Sequence, residues 1–322
     1  MSKPNCSQTH PSWSPDSNEI AFTNICDEDW TLCVMDLTQG HCRRLTDISE
    51  RGFGPAWSPD GKEIAFHSYR DGEHPSIYTM GIDGSNIRRL TDDPWGDLDS
   101  AWSPDGTYIA FTGIRHGCRD IYVMHPDGSN VRRISDPGGE NRQPVWSPDS
   151  NQIGYLGCHT GYWNVYVVNI ASGTIRQLTD DSNWNANLTW APNGQQIAFE
   201  RKSNDGRGIY VLDTLGEPPY RLRDSHGGCL SPMWSPNNNV IAYHSYGNGD
   251  QPSIFMMDAD GGNTRRLTDI ANGHFHPTWS PCGTHVAFTV FQNGRRDLYV
   301  TDAEDPRARR LLDIGPRNLK DS

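Results

Sequence analysis

The chain has 322 residues, a net charge of −12 and an apolar content of 34 %. Its acidic balance argues against a sequence-independent grip on nucleic acid, and no run of about eighteen apolar residues supplies a membrane span. Gly (32) and Pro (22) are abundant, which suits many short strands joined by tight turns.

The first ten residues form an N-terminal segment without the apolar stretch of a secretory signal. As written, the chain reads as cytoplasmic; a signal removed beforehand would make it periplasmic or secreted. From residue 11 onward one unit recurs, marked by Trp-Ser-Pro-Asp and its variants. The marker Trp falls at Trp13, Trp57, Trp102, Trp146, Trp190, Trp234 and Trp279, every 44 or 45 residues. Such a period means a repeat architecture. Units start near residues 11, 55, 100, 144, 188, 232 and 277, and a tail follows at 314–322.

The second unit shows the elements in order. Pro55-Ala56-Trp57 reads as a short strand, and Ser58-Pro59-Asp60-Gly61 as a turn, with Pro presetting φ and Gly accepting the positive φ after it. Glu63-Ile64-Ala65-Phe66 is the second strand and Ser76–Met80 the third. Asp83-Gly84-Ser85-Asn86 turns the chain into the fourth, Ile87–Leu90. No stretch reads as a helix of useful length. Four antiparallel strands per unit make a propeller blade, so the fold class is all-β, a seven-bladed β-propeller. The chain starts on an inner strand and ends on an outer one at Arg309-Arg310, so closure is expected from apolar packing of the first blade on the last, without a strand swap. The marker Trp and the Ile-Ala-Phe triplets are the expected inter-blade filling. The Arg pairs of the outer strands, such as Arg43-Arg44 and Arg88-Arg89, read as charges that block edge-to-edge pairing. The Asp after each outer strand, such as Asp47, reads as a turn residue. Cys33 and Cys42 take the places of apolar residues and read as small core side chains.

Pro-x-Trp-Ser-Pro-Asp-Gly, Ile-Ala-Phe, Ile-Tyr-Val-Met, Asp-Gly and Arg-Arg-Leu-Thr-Asp together resemble the TolB-type propeller repeat, over about residues 10–313. Blades of this type occur in the periplasmic Tol-system protein, in the gating propellers of serine peptidases and in some polysaccharide lyases. The Tol-system protein carries a further α/β domain and typically six blades. This sequence has seven blades, no such domain, and no Gly-x-Ser-x-Gly nucleophile elbow.

Tight first-to-second and third-to-fourth turns share one face of the ring. The longer second-to-third and inter-blade links share the other, where binding residues concentrate on a rigid scaffold. That loop face holds nine of the twelve histidines, and Trp30, Trp95, Trp163 and Trp184, the tryptophans outside the marker. The face is therefore expected to take a ligand or partner, through these four tryptophans with His10, His226, Arg142 and Glu200. Stacking rings beside Arg51, Arg70, Arg115, Arg142 and Arg201 suit an acidic carbohydrate or an acidic protein segment. His10, Asp99, Gln143, Asn187 and His276 all stand three residues before a marker Trp, and should ring the mouth of the central channel.

His274-Phe275-His276 precedes the seventh inner strand, and His244 ends the second strand of blade six. Three imidazoles at His244, His274 and His276, with a nearby carboxylate or amide, suit a borderline divalent ion such as Mn or Zn, given a local bend that lets His274 and His276 share it; Ca is the further candidate cofactor. The His-x-His before the last blade is also similar to the metal site of oligogalacturonate lyases. That resemblance implies a Mn ion acidifying the α-proton of a uronate for removal by a base. Where that family has a further His this chain has Ser231, and where it has a Gln this chain has Ala271; His226, His244 or Asn272 would have to stand in. The leading expectation is a non-catalytic binding propeller for a protein or carbohydrate. The alternative is a metal-dependent polysaccharide lyase, and a third is a repeat array with assembly partners only.

Overall fold

The computed structural model describes residues 6–27, 29–115, 117–204, 206–223, 228–237, 239–246, 251–268, 273–304 and 309–310. Blade one comprises β1 (Cys6–Trp13), β2 (Glu19–Cys26), β3 (Asp29–Asp36) and β4 (His41–Arg44). Blade two comprises β5 (Gly52–Trp57), β6 (Glu63–Ser68), β7 (Ser76–Gly81) and β8 (Arg88–Arg89). Seven sheets of four consecutive antiparallel strands complete the seven-bladed propeller. Helix is limited, among the described residues, to one 3-10 turn at Ile48–Glu50. β1 begins at Cys6, inside the segment expected to precede the blades, and Cys6 is joined to Cys26 across the β1–β2 ladder by a disulfide. Residues 314–322 lie outside the described residues.

The Ile-Ala-Phe triplet explains how the blades stack. Successive strand residues face opposite sides of the sheet. Ile64 and Phe66 pack back against Leu32 and Val34 of blade one, whereas Ala65 turns forward to Ile109 and Phe111 of blade three. A small residue on the forward side leaves room for the next blade. The core is therefore divided into clusters that each span two neighbouring blades. The cluster of Trp13, Ile20 and Phe22 with Ala287, Leu298 and Val300 closes the ring. Both end blades keep their own four strands, as expected for closure without a swap. The seam also carries polar bonds: the Leu298 and Arg296 amides donate to Gln8 Oε1 (3.2 Å) and Ser7 Oγ (3.1 Å).

Each marker residue has a mechanical role. Ser58 Oγ donates to Asp60 (2.7 Å) and accepts from the Glu63 amide (2.9 Å), which fixes the turn between β5 and β6. The indole N–H of Trp57 donates to the carbonyl of Ser12 in blade one at 3.1 Å. The same bond runs from Trp146 to Ala101 (3.0 Å), Trp190 to Val145 (3.1 Å), Trp279 to Met233 (3.2 Å) and, across the closure, Trp13 to Thr278 (3.2 Å). At Trp102 and Trp234 the indole N–H is buried without a partner among the described residues.

The outer Arg pairs do more than guard an edge. Arg43, Arg132 and Arg265 donate to carbonyls of the following blade, at Ile82 (3.0 Å), Ile170 (3.0 Å) and Ala303 (2.8 Å). Arg89 and Arg266 donate instead to Ser76 and Ser253 at the start of the third strand (2.9 and 2.7 Å). The Thr of Leu-Thr-Asp extends the short fourth strand, since Thr91 Oγ1 accepts from the Ile77 amide at 3.0 Å.

The indole bonds predict unequal costs for one substitution. Trp146→Phe strands the Ala101 carbonyl, whereas Trp102→Phe removes an N–H that has no partner. Urea unfolding should show Trp146→Phe to be the costlier change by about 1–2 kcal/mol. Equal losses would deny the bond a stabilising role.

Candidate functional site

A bulge in every inner strand builds the site. In blade two Phe53 pairs with His67 and Ala56 with Ala65, so Gly54 and Pro55 together face Phe66. The same slip occurs in all seven inner strands. Its first residue takes a left-handed conformation in each: His10, Gly54, Asp99, Gln143, Asn187, Ser231 and His276, with φ from 51° to 63°. Such a backbone costs a non-glycine residue about 1 kcal/mol or more. It reverses the strand's alternation and aims the side chain at the channel. His10, Gln143, Asn187, Ser231 and His276 line a cavity of about 360 Å³ with Arg296. The residues expected at the channel mouth thus share one backbone geometry.

The bulge also separates the expected metal ligands. Regular alternation would keep residues i and i+2 on one side. The left-handed turn at His276 instead directs that ring to the channel, while His274 stays between blades six and seven. His274 is wholly buried, with Nδ1 2.6 Å from Thr268 Oγ1 and its ring against Phe288. It occupies the place of Asn141 and Asn185, which also bond into the preceding blade, to Asp120 Oδ1 (2.9 Å) and the Trp163 carbonyl (2.7 Å). His244 and His276 do meet, with ring centroids 5.8 Å apart. The bend required for His274 and His276 to share an ion is present, yet it parts them. No group of three His, Cys, Asp or Glu among the described residues is placed to hold a metal ion. His226, Ala271 and Asn272 lie outside the described residues.

Aromatic contacts run along the mouth. Phe53 touches His10, His67 and Trp30 at centroid distances of 4.4, 5.1 and 5.4 Å. Trp30 meets Tyr69 edge-on at 6.1 Å, and Phe275 meets His244 at 5.5 Å. Phe53 and Phe275 were not singled out from the sequence, although both stand four residues before a marker Trp. Of the four tryptophans expected on exposed loops, only Trp95 matches, at 53 % exposure. Trp30 lies in β3, and Trp163 and Trp184 open strands; all three are half-buried. Arg142 stacks on the Trp163 ring at 3.8 Å.

Most of the arginines expected to meet acidic groups are already engaged. Arg70 pairs with Glu50 (2.6 Å), Arg115 with Asp93 (2.8 Å) and Asp97 (2.7 Å), and Arg201 with Asp181 (2.6 Å). They brace links between blades. Glu200 is buried behind the channel wall, where it accepts from the Asn187 amide at 2.9 Å and lies 3.6 Å from Arg207. Burial raises its pKa, and the Asn187 bond, Arg207 and the Ser231 N–H oppose that rise.

Four imidazoles of this region are held neutral. Burial among its neighbours lowers His10 to about 4, helped by repulsion from His276 and Arg296, although the side chain is exposed at the channel cavity. Burial lowers His67 and His244 to about 3, with His10 repelling the first, and His276 and Arg207 the second. His276 is lowered by burial and by Arg296. The folded state therefore resists protonation that the unfolded chain accepts near 6.5. The resulting stability is full above pH 6.5 and declines as pH falls towards 4 and 3. Blade four carries buried Leu156 where His67 and His244 stand, so His67→Leu with His244→Leu fits the scaffold. Between pH 7 and 5 the wild type should lose up to about 2 kcal/mol per buried imidazole that the double variant retains. Urea midpoints at the two pH values measure this; parallel losses would refute it.

The family model described as TolB beta propeller domain matches residues 5–228 and 208–319. No curated protein matches the sequence. A putative TolB from Agrobacterium tumefaciens superposes with a TM-score of 0.59 at 23 % identity, covering 84 % of this chain and 97 % of its own. An oligogalacturonate lyase from Vibrio parahaemolyticus gives 0.76 at 14 % identity, covering 93 % and 91 %. The β-propeller domain of the Trilobed protease from Pyrococcus furiosus, described as having an open velcro topology, gives 0.74 at 13 % identity, covering 97 % of both chains. At these identities the likeness is one of fold. The family match spans nearly the whole chain, repeat by repeat: this protein belongs to the TolB beta propeller domain family.

Proposed function

We propose that this chain is a non-catalytic binding propeller that presents its loop face and channel mouth to a protein or carbohydrate ligand. One observation carries this reading. Seven positions share one backbone geometry and hold six residue types, His, Gly, Asp, Gln, Asn and Ser, and five of the seven line one cavity. The scaffold around them is repeated, so the variation sits where contact with a ligand would be made. An aromatic rim at Trp30, Tyr69 and Phe53 adds contact area at low entropic cost.

Plugging the channel tests the proposal. Gln143→Trp adds bulk to a side chain that lines the cavity and is exposed. Screened against peptide and glycan arrays, the wild type should capture a defined set that the variant binds about tenfold more weakly or not at all. An identical set captured by both proteins, or none by either, would sink the proposal.

The metal-dependent polysaccharide lyase remains the second reading, favoured by the approach of His244 to His276 and by the likeness in fold to oligogalacturonate lyases. Elemental analysis after dialysis against Mn, Zn or Ca decides it. Stoichiometric metal that is lost on substituting either imidazole supports it, and metal-free protein removes it.

A further inference from the structure

Arg296 differs from several arginines of the loop face. Arg70, Arg115, Arg201 and Arg207 each lie beside a carboxylate. Arg296 has no ion pair among the described residues, and its side chain lines the channel cavity beside His10 and His276. No Asp or Glu is among the described residues of that lining. Glu200, a carboxylate behind the wall, is already met by Asn187 and Arg207. The main chain fixes the root of Arg296, since its N–H donates to Ser7 Oγ across the blade-one closure at 3.1 Å. An unpaired guanidinium exposed at the mouth of an open cavity is suited to forked pairing with a carboxylate. Even neutral, each flanking imidazole keeps one N–H to donate.

The rest of the cavity describes what the carboxylate is attached to. Val145, Leu188 and Met233 line it with three prolines, Pro11, Pro232 and Pro277. These aliphatic groups share the wall with Thr9, Thr278, Thr289, Gln143, Asn187 and Ser231, and imidazole is its sole ring system apart from proline. A sugar ring is best held between flat aromatic faces, which lie outside this cavity at Trp30 and Tyr69. An aliphatic side chain fits the wall better. A volume of about 360 Å³ falls at the lower end of small-molecule sites, roughly 300–1,000 Å³, so a chain end is accommodated more readily than a through-going segment.

We propose that the channel mouth receives the C-terminal carboxylate of a protein or peptide ending in an apolar residue, with Arg296 as its counter-charge. This rests on the binding reading above and names its ligand. The test uses an acetylated pentapeptide of glycine and alanine ending in leucine, as the free acid and as the C-terminal amide. Binding is followed through the imidazole C–H signals of His10 and His276 in full-length protein, assigned with His10→Gln and His276→Gln. The free acid should shift both signals and bind about tenfold more tightly than the amide, the worth of one charge-assisted pair. Arg296→Gln should abolish that preference, and Arg296→Lys should retain part of it. Unchanged thermal unfolding of both variants would show that the seam is intact. Equal binding of acid and amide overturns the carboxylate inference while leaving the binding propeller standing. Shifts by neither peptide, with peptides still captured on the array, overturn this site alone. Silence in both experiments overturns both proposals. A trigalacturonate probe that shifts the two signals where the peptide acid does not would assign the guanidinium to a uronate and overturn the peptide assignment.

Discussion

The indole bond from a marker Trp to a carbonyl of the preceding blade, present at five of the seven interfaces, is the contact that ties neighbouring blades together at the inner edge. It joins residues 45 or 46 apart and, across the closure, Trp13 to Thr278, 265 apart. A propeller has no core common to all its blades, because its sheets surround a channel. Cohesion must therefore come from each interface. Here each interface stacks apolar side chains of one blade on those of its neighbour; the indole fixes the inner edge at five of the seven interfaces, and an Arg fixes the outer edge at three. The last interface uses the same means as the others, so the ring closes without exchanging a strand.

The bulge turns that rigid ring into a site. Two-versus-one pairing reverses the pleat for one residue in each inner strand, and the reversed side chain points inward. The left-handed backbone is unfavourable for His, Gln and Ser, yet packing on both sides of the strand holds it. Glycine would relieve it and appears once, at Gly54. Local strain thus accompanies the five side chains that line the channel cavity, at His10, Gln143, Asn187, Ser231 and His276; Asp99 shares the backbone geometry but is not in that lining. Held neutral by burial, the imidazoles there offer hydrogen bonds and ring faces at ordinary pH, and Arg296 supplies the charge.

Much of this was legible in the chain. The period fixed seven units, turn chemistry placed the strands, and alignment of the copies put His10, Gln143, Asn187 and His276 at equivalent places on the mouth. Alignment also held the correction for His274. It stands five residues before its marker, as Asn141 and Asn185 do, and shares their inter-blade role. Trp30, Trp163 and Trp184 misled because short loops leave little true loop surface; they sit at strand ends and are half-buried. Arg70, Arg115 and Arg201 misled because their carboxylate partners lie 18 to 22 residues away, in links that sequence spacing does not bring together.

The sequence by itself determined the blade count, the strand order and the two faces, because each follows from short-range turn chemistry and a period repeated along one chain. Only the tertiary structure decided which side chains meet. That outcome turns on a single-residue bulge, which sends His276 to the channel and leaves His274 between the blades, and on a ring closure that sets Arg296 of the last blade beside His10 of the first. A one-residue change of register reverses every direction that alternation predicts, and closure couples residues that are hundreds of positions apart.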